Sequence, residues 1–205
     1  MEAGSGKAPE RDFLDGSLLL AMPNMNDPRF EQAVILMCAH TDDHAMGVIV
    51  NKPLDDITFG ALLDQLDMEC GVAAADDPVL FGGPVERERG FVVHTLDYRS
   101  SATLPVTPSI GLTATRSVLS DMAGEGRRRA PRQGFLALGY AGWSAGQLES
   151  EIMTNAWLHC PADEELVFDT ETDEKWHAAL GRLGVTDAMF SSEWAMTRGE
   201  EAPRH

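Results

Sequence analysis

The sequence predicts an α+β fold with a mixed, mostly antiparallel sheet and flanking helices. Apolar runs with the length of strands follow one another in the first part of the chain, and segments with helical periodicity separate the later runs. The strict alternation of strand and helix that characterises parallel sheets is not present. With 205 residues, of which 43% are hydrophobic and 24% charged, the chain can bury one substantial core.

The N-terminal quarter predicts a tail followed by three strands. Residues 1–12 are polar and rich in small side chains, which indicates a flexible tail and no secretory signal. Apolar runs over 18–22, 33–39 and 45–50 predict strands, and each is far shorter than a membrane span. The histidines and aspartates of 40–44 fall between two strands, so a polar turn is favoured over a metal site, and no metal or cofactor is predicted.

The middle of the chain predicts two helices and several short strands. Apolar residues recur at helical spacing over 59–66, and Thr58 or Asp56 precedes them as a cap. The Gly-Gly-Pro sequence at 82–84 predicts a forced turn. The other elements predicted here are strands over 79–81, 90–96 and 110–113, a loop over 97–108, and a helix from Thr115 to Gly124.

Turn-forming residues are densest between residues 139 and 170. An apolar run over 135–138 predicts a strand, and Gly139, Gly142 and Gly146 then predict a glycine turn. A glycine turn at a helix start can hold an anion, but this spacing is neither a dinucleotide fingerprint nor a P-loop. A tight turn that lets helix and strand pack closely is therefore favoured.

A helix is predicted after this turn. Ser144 and Gln147 fit a capping box, and apolar positions continue through Trp157 and Leu158 until Pro161. The remaining predicted elements are a strand over 166–168 and a last helix from Thr172 to Gly184, whose inner face carries 176, 179, 180 and 183.

The formal net charge of −17 is the most marked feature of the composition. It favours solubility and opposes attraction to DNA, RNA or anionic membranes. Arg127–Arg129 form a small basic cluster without interleaved aromatic residues, which indicates a solvated loop. Cys38, Cys70 and Cys160 share no metal or redox spacing, so a reduced, cytoplasmic location is expected.

No catalytic motif is recognisable in the sequence, and a G-x-S-x-G nucleophile elbow is absent. Glu149 and Glu151 lie two positions apart on the predicted helix and are not expected to face one substrate. His94 lies in a predicted strand with alternating side chains. At such a position, a histidine whose hydrogen bonds are made within the protein is more common than a general base. Trp143 and Trp157 flank the central helix; core packing is expected, although tryptophan also lines ligand pockets.

Several short motifs occur in a fixed order along the chain. They are 18–23 (LLLAMP), 27–30 (DPRF), 45–53 (AMGVIVNKP), 81–85 (FGGPV), 88–94 (ERGFVVH), 139–149 (GYAGWSAGQLE), 155–158 (NAWL) and 161–163 (PAD). In this order they resemble the AlgH/YqgE-like family over about residues 15–194. Two departures are local: residues 41–44 replace a turn richer in glycine or asparagine, and Ser144 stands where glycine is usual.

The resemblance implies one domain over 13–196, whose sheet curls into a partly open, barrel-like structure, and a C-terminal tail over 197–205. The biochemical function of the family is not established. One member's name ties it to the regulation of alginate production, and others are labelled transcriptional regulators. The resemblance therefore supplies no catalytic residues.

Several polar residues and glycines are explained by neither helical nor strand periodicity. Together they predict a cleft. We expect it to take a small molecule or a protein partner in a non-enzymatic, regulatory protein that is a monomer or a weak homo-oligomer. In an enzyme alternative, Lys52 and Arg89 hold an anionic metabolite and His94 moves a proton. A regulator that binds nucleic acid is a third alternative, which the net charge of −17 disfavours. The candidate cleft residues are Asn51, Lys52, Gly82, Gly83, Arg89, His94, Gly142, Trp143, Gln147 and Asn155.

Overall fold

Ten β-strands, four α-helices and one π-helical segment form the part of the chain that the computed structural model describes, residues 13–71, 74–124 and 130–185. The tails predicted over 1–12 and 197–205 lie outside these residues, as does the Arg127–Arg129 loop. The strands are β1 (Ser17–Ala21), β2 (Val34–His40), β3 (His44–Ile49), β4 (Pro53–Thr58), β5 (Pro78–Phe81), β6 (Val85–Thr95), β7 (Thr103–Pro105), β8 (Ile110–Thr113), β9 (Gly134–Ser144) and β10 (Trp157–Pro161). The helices are α1 (Phe59–Gln65), α2 (Arg116–Ala123), α3 (Gln147–Met153) and α4 (Lys175–Arg182), and the π-helical segment is Glu165–Asp169.

The strands form one curled sheet in the order β10-β1-β2-β3-β9-β6-β8-β7, which confirms the predicted α+β class with a mostly antiparallel, partly open barrel. The long strand β9 lies near its centre. The second half of β9 pairs with β3 and the first half pairs with β6, both antiparallel. On its other edge, the first half of β9 pairs in parallel with β5. Strand β5 also pairs with β4. Among the described residues, no helix is both long enough and apolar enough to cross a membrane.

Apart from Ser17 and His40 at their ends, strands β1 and β2 are apolar, and both of their faces are buried. Leu18 and Leu20 lie in one hydrophobic cluster with Leu36, whereas Leu19 lies in a second cluster with Ile35. This division follows from the alternation of side chains along a strand. Helix α4 contributes to the first cluster and helix α3 to the second, so each face of the sheet carries a helix.

Residues 82–84 cross over β9 rather than reverse the chain. Strands β5 and β6 lie on opposite edges of β9, so the short link between them passes across that strand. A Cβ atom on Gly82 would lie 2.3 Å from the carbonyl oxygen of Gly139, and one on Gly83 would lie 2.1 Å from the carbonyl carbon of Tyr140. The turn predicted from the sequence is therefore a close crossing of two backbones, where only glycine fits.

Strand β9 is longer than predicted. Gly139 and Gly142 lie inside the strand instead of in a turn, because pairing with β3 extends β9 to Ser144. Gly139 has a φ of 77° at the place where residues 82–84 cross. Only Gly146, with a φ of 71°, belongs to the turn before α3.

Helix α3 is shorter than predicted, and Trp157 and Leu158 lie in β10. Asn155 takes a left-handed φ of 57° after the helix, and hydrogen bonding with β1 then holds the following residues extended. The apolar run over 166–168 lies in the π-helical segment and not in a strand. The sequence predicts neither β4 nor β7, because β4 is mostly polar and β7 has three residues.

Candidate functional site

Helix α3, the end of β9, the start of β10 and the loop over 24–30 border a hollow of about 520 Å³, which we call the α3 hollow. Its volume lies in the range of small-molecule pockets. Its lining residues come from separated parts of the chain and include Asp27, Arg29, Phe30, Pro84, Gly142, Trp143, Gln147, Glu151, Asn155 and Trp157.

The carboxylate of Glu151 is held by three side chains at the wall of this hollow. Its Oε2 accepts hydrogen bonds from Trp143 Nε1 at 2.9 Å and from Trp157 Nε1 at 2.8 Å. Its Oε1 accepts one from Gln147 Nε2 at 2.9 Å. The two indole rings meet edge to face, with centroids 6.0 Å apart. The donors therefore fix a carboxylate against an aromatic wall.

The sequence at the start of α3 positions this carboxylate. Gly146 is the N-cap of the helix, and Gln147 Oε1 accepts the backbone N–H of Ser144 at 3.1 Å, which is the amide half of the predicted capping box. Gln147 and Glu151 are four residues apart and share one helix face. Glu149 lies on a different face, as the spacing predicted, so only Glu151 reaches the indoles.

Glu149 pairs with a histidine of β2 instead. His40 Nδ1 accepts the backbone N–H of Leu14 at 2.9 Å, so the Nε2–H group of His40 donates to Glu149 Oε1 at 3.1 Å. His44 Nδ1 lies 3.2 Å from the hydroxyl of Thr41. Within the described part of the chain, no three His, Cys, Asp or Glu side chains are arranged to hold a metal ion.

The loop over 24–30 forms the opposite wall. Arg29 binds Asp27 through two guanidinium nitrogens, with the shorter contact at 2.6 Å, and these hydrogen bonds lower the pKa of the Asp27 carboxyl. The Phe30 ring meets Trp157 edge to face, with centroids 5.7 Å apart. Because Arg29 is paired with Asp27, Glu151 gives the lining a net negative charge.

A second hollow of about 660 Å³ shares Gly142 and Trp143 with the α3 hollow. Met46, Phe91 and Tyr140 contribute to its lining. Arg89 reaches it from β6, where its guanidinium lies 5.0 Å from the centroid of the Phe91 ring. Arg89 also binds Glu86 at 2.9 Å, so its charge is already paired at the surface.

His94 is fully buried inside the sheet and lines neither hollow. Its Nδ1 donates to the carbonyl oxygen of Thr95 at 2.9 Å, and its Nε2 accepts from the hydroxyl of Thr113 at 2.8 Å. Burial lowers the pKa of this imidazole. The enzyme alternative required His94 at a cleft shared with Lys52 or Arg89, and this arrangement is not formed.

Four other predicted site residues have structural contacts. The Asn51 side chain accepts the Val34 N–H at 2.8 Å and donates to the Gln32 carbonyl oxygen at 2.9 Å. The carbonyl oxygen of Lys52 accepts the Phe81 N–H at 2.7 Å, and burial lowers the pKa of its half-buried amine. Gly82 and Gly83 serve the crossing over β9.

The structure thus brings together Gly142, Trp143, Gln147 and Asn155, and places Arg89 at the adjoining hollow. Sequence reasoning missed Glu151, which it considered only as a pair with Glu149. The signal that could have found it is the four-residue spacing from Gln147, together with a tryptophan on each side of the helix. Phe30 and Trp157 were not predicted as site residues because their contacts join distant segments.

Comparison with known proteins is consistent across sequence and structure. The AlgH-like (DUF179) family model matches residues 18–188. A UPF0301 protein of Caulobacter vibrioides is 52% identical over 182 residues, covering 88% of this chain and 92% of the relative. A UPF0301 protein of Methylobacterium nodulans is 48% identical over 196 residues, covering 91% of each chain.

Two solved structures share the fold. The solution structure of AlgH from Pseudomonas aeruginosa is 33% identical and superposes with a TM-score of 0.73, covering all of both chains. A crystal structure of a Corynebacterium diphtheriae protein, 19% identical with a TM-score of 0.66, covers 85% of this chain and 90% of its own, and supports the fold alone. The chain belongs to the AlgH-like family.

Proposed function

We propose that this protein is a non-enzymatic, cytoplasmic binding protein whose α3 hollow takes a cationic group, an ammonium or guanidinium, from a ligand or a regulated protein partner. The observation that carries the proposal is the Glu151 carboxylate, which two indole N–H groups hold at the wall of an open hollow. A carboxylate beside aromatic rings is a recurrent receptor for organic cations.

The carboxylate of Glu151 has one acceptor position that donors of the described residues do not occupy. An ionised carboxylate offers about four acceptor sites, and the protein donors occupy two on Oε2 and one on Oε1. The carboxylate is half-buried, so a cation that reaches the remaining site displaces little water. Because three donors fix its position, Glu151 loses little conformational freedom on binding.

The surrounding groups favour a cation over an anion. Arg29 is neutralised by Asp27, so the hollow offers an anion no free positive charge from its own lining. The formal net charge of −17 attracts cationic partners at long range and repels anionic ones. A regulatory role would follow if the cationic group were an arginine or lysine side chain of another protein.

Titration with argininamide tests the proposal, and its neutral isostere citrullinamide is the matched ligand control. Trp143 and Trp157 contact the carboxylate directly, so amide and indole NMR shifts around α3 report binding. We expect saturable shifts with argininamide that weaken as salt is added, and none with citrullinamide.

Glu151→Gln removes the charge and retains an acceptor for the indoles. We expect this variant to bind argininamide at least ~5-fold more weakly, because a charge-assisted hydrogen bond is lost. Glu174→Gln makes the same change at an exposed site before α4 and should bind like the parent protein. Equal binding by Glu151→Gln, or equal shifts with citrullinamide, would refute the proposal.

A further inference from the structure

Lys175 lines a separate hollow of about 370 Å³ that shares no lining residue with the α3 hollow. The hollow lies between the start of α4, the π-helical segment and the first residues of β5 and β9. Phe59, Leu80 and Phe168 contribute apolar surface to it, and Gln133 contributes a polar side chain. Its volume lies at the lower end of the range of small-molecule pockets.

The Lys175 side chain is buried, with 3% of its surface exposed. Its Nζ donates to the carbonyl oxygens of Val167 and Thr170, both at 2.9 Å. Among the described residues, no carboxylate lies within ion-pairing distance of Nζ. Buried lysines are normally paired with an acid, because an unpaired buried charge is costly.

The two carbonyl acceptors satisfy both N–H groups of a neutral amine. A neutral amine has two N–H donors and one lone pair, whereas an ammonium has three donors. With both N–H groups bonded to Val167 and Thr170, the fourth tetrahedral position of nitrogen carries the lone pair. Burial lowers the pKa of Lys175 to about 8, against the opposing fields of Glu171 and Asp169.

We propose that this hollow binds a small neutral aldehyde or ketone and that Lys175 forms an imine with its carbonyl carbon. The Nζ lone pair attacks that carbon, the C=O π electrons move to oxygen, and a proton passes from nitrogen to oxygen to give a carbinolamine. Water then leaves and the C=N bond forms. The net reaction joins one amine and one carbonyl compound and releases one water, without oxidation or reduction.

The charged walls of the hollow favour an uncharged reactant. Asp77, Asp169 and Glu171 contribute acidic side chains, and the guanidinium of Arg132 is paired with Glu164. An anionic aldehyde would therefore meet electrostatic repulsion in this hollow. The same carboxylates can exchange protons with the carbinolamine as water leaves.

Reductive trapping tests this site. The chain has three lysines, Lys7, Lys52 and Lys175, so peptide mass spectrometry resolves every side-chain amine. The full-length protein is incubated with propionaldehyde and cyanoborohydride, and the rate of propylation is measured at each lysine, folded and in urea. Lys52 is a demanding comparator, because burial also lowers the pKa of its amine.

We expect Lys175 in the folded protein to react at least ~10-fold faster than Lys52 near pH 7.5, because a larger fraction of its amine is neutral. The advantage should vanish in urea, and the Lys175 rate should level off above about pH 8. Lys52→Arg should leave the Lys175 rate unchanged. A Lys175 rate no greater than that of Lys52, or a rate unaffected by unfolding, would overturn the proposal.

Discussion

The imidazole of His94 joins three strands through a chain of hydrogen bonds. Thr113 Oγ1 on β8 donates to Nε2 and lies 2.9 Å from Thr103 Oγ1 on β7. Nδ1 donates to the Thr95 carbonyl within β6. With Nδ1 donating to a carbonyl oxygen, Nε2 of the neutral imidazole carries the lone pair that accepts from the Thr113 hydroxyl. Burial opposes the charged form and is the main cause of the lowered pKa of His94.

This lowered pKa makes stability depend on pH in a defined direction. Between the lowered value and the ordinary value of 6.5, the unfolded chain binds a proton that the folded chain does not. The free energy of unfolding should therefore be highest above pH 6.5 and fall as the pH drops through this window. Urea unfolding followed by circular dichroism, between about pH 5 and pH 8, measures this fall.

His94→Gln should remove the His94 contribution to that slope. It should also cost roughly 1–3 kcal/mol at neutral pH, because buried hydrogen bonds to Thr95 and Thr113 are weakened. His159→Gln, at an exposed position of β10, controls for the loss of a histidine and should change stability by less than ~0.5 kcal/mol. An unchanged slope in His94→Gln would contradict the prediction.

At the scale of elements, the crossing over β9 decides how the two parts of the sheet meet. Ile49 N–H donates to the Gly82 carbonyl oxygen at 2.8 Å, and Gly82 N–H donates to that of Leu138 at 2.8 Å. The crossing segment therefore links the end of β3 to β9 through its own backbone. Any side chain at Gly82 would push these two hydrogen bonds apart.

Gly82→Ala should destabilise the protein by more than about 3 kcal/mol, because its Cβ would meet backbone that has no room to move. Gly146→Ala provides the matched comparison. Gly146 has a φ of 71°, but beyond its chain neighbours a Cβ atom on it would meet no atom of the described residues within 4 Å, so only backbone strain of roughly 1–2 kcal/mol is expected. Urea midpoints measure both changes, and equal losses would show that crowding at the crossing is not decisive.

At the scale of the whole molecule, β9 organises the sheet because it pairs with three other strands. Residues 136–138 lie between β5 and β6, while residues 141–144 pair with β3. Strands β4 and β7, by contrast, each pair with a single strand. Local opening is therefore expected to cost less at β4 and β7 than at the centre of β9.

Native-state hydrogen exchange tests this order. We expect the hydrogen-bonded amides of 136–138 to exchange only through global unfolding, at least ~100-fold more slowly than those of β4 and β7. Amides of β1, which pairs with β2 and β10, provide an internal reference for a strand with two neighbours. Protection in β7 equal to that in β9 would contradict a sheet organised around β9.

Strong local patterns made much of this fold predictable. The apolar runs of β1, β2 and β3, and the helical spacing of α1 with Thr58 as its cap, are confirmed. Only some of the candidate cleft residues lie together, because glycine serves a backbone crossing as readily as a cleft. Asn51 and His94 show the same limit, since their hydrogen bonds go to the protein itself. Glu151 was missed because its partners lie on two strands and a helix.

The sequence by itself determined the α+β class, the apolar runs of the first three strands and the net charge of −17, because residue periodicity and composition do not depend on contacts between distant residues. Only the tertiary structure decided that β9 runs past Gly139, that Trp157 leaves the helix for β10, and that two indoles converge on Glu151. Each of these depends on hydrogen bonds between residues distant in sequence. Local propensity favours several conformations there nearly equally, and pairing with a neighbouring strand selects one of them.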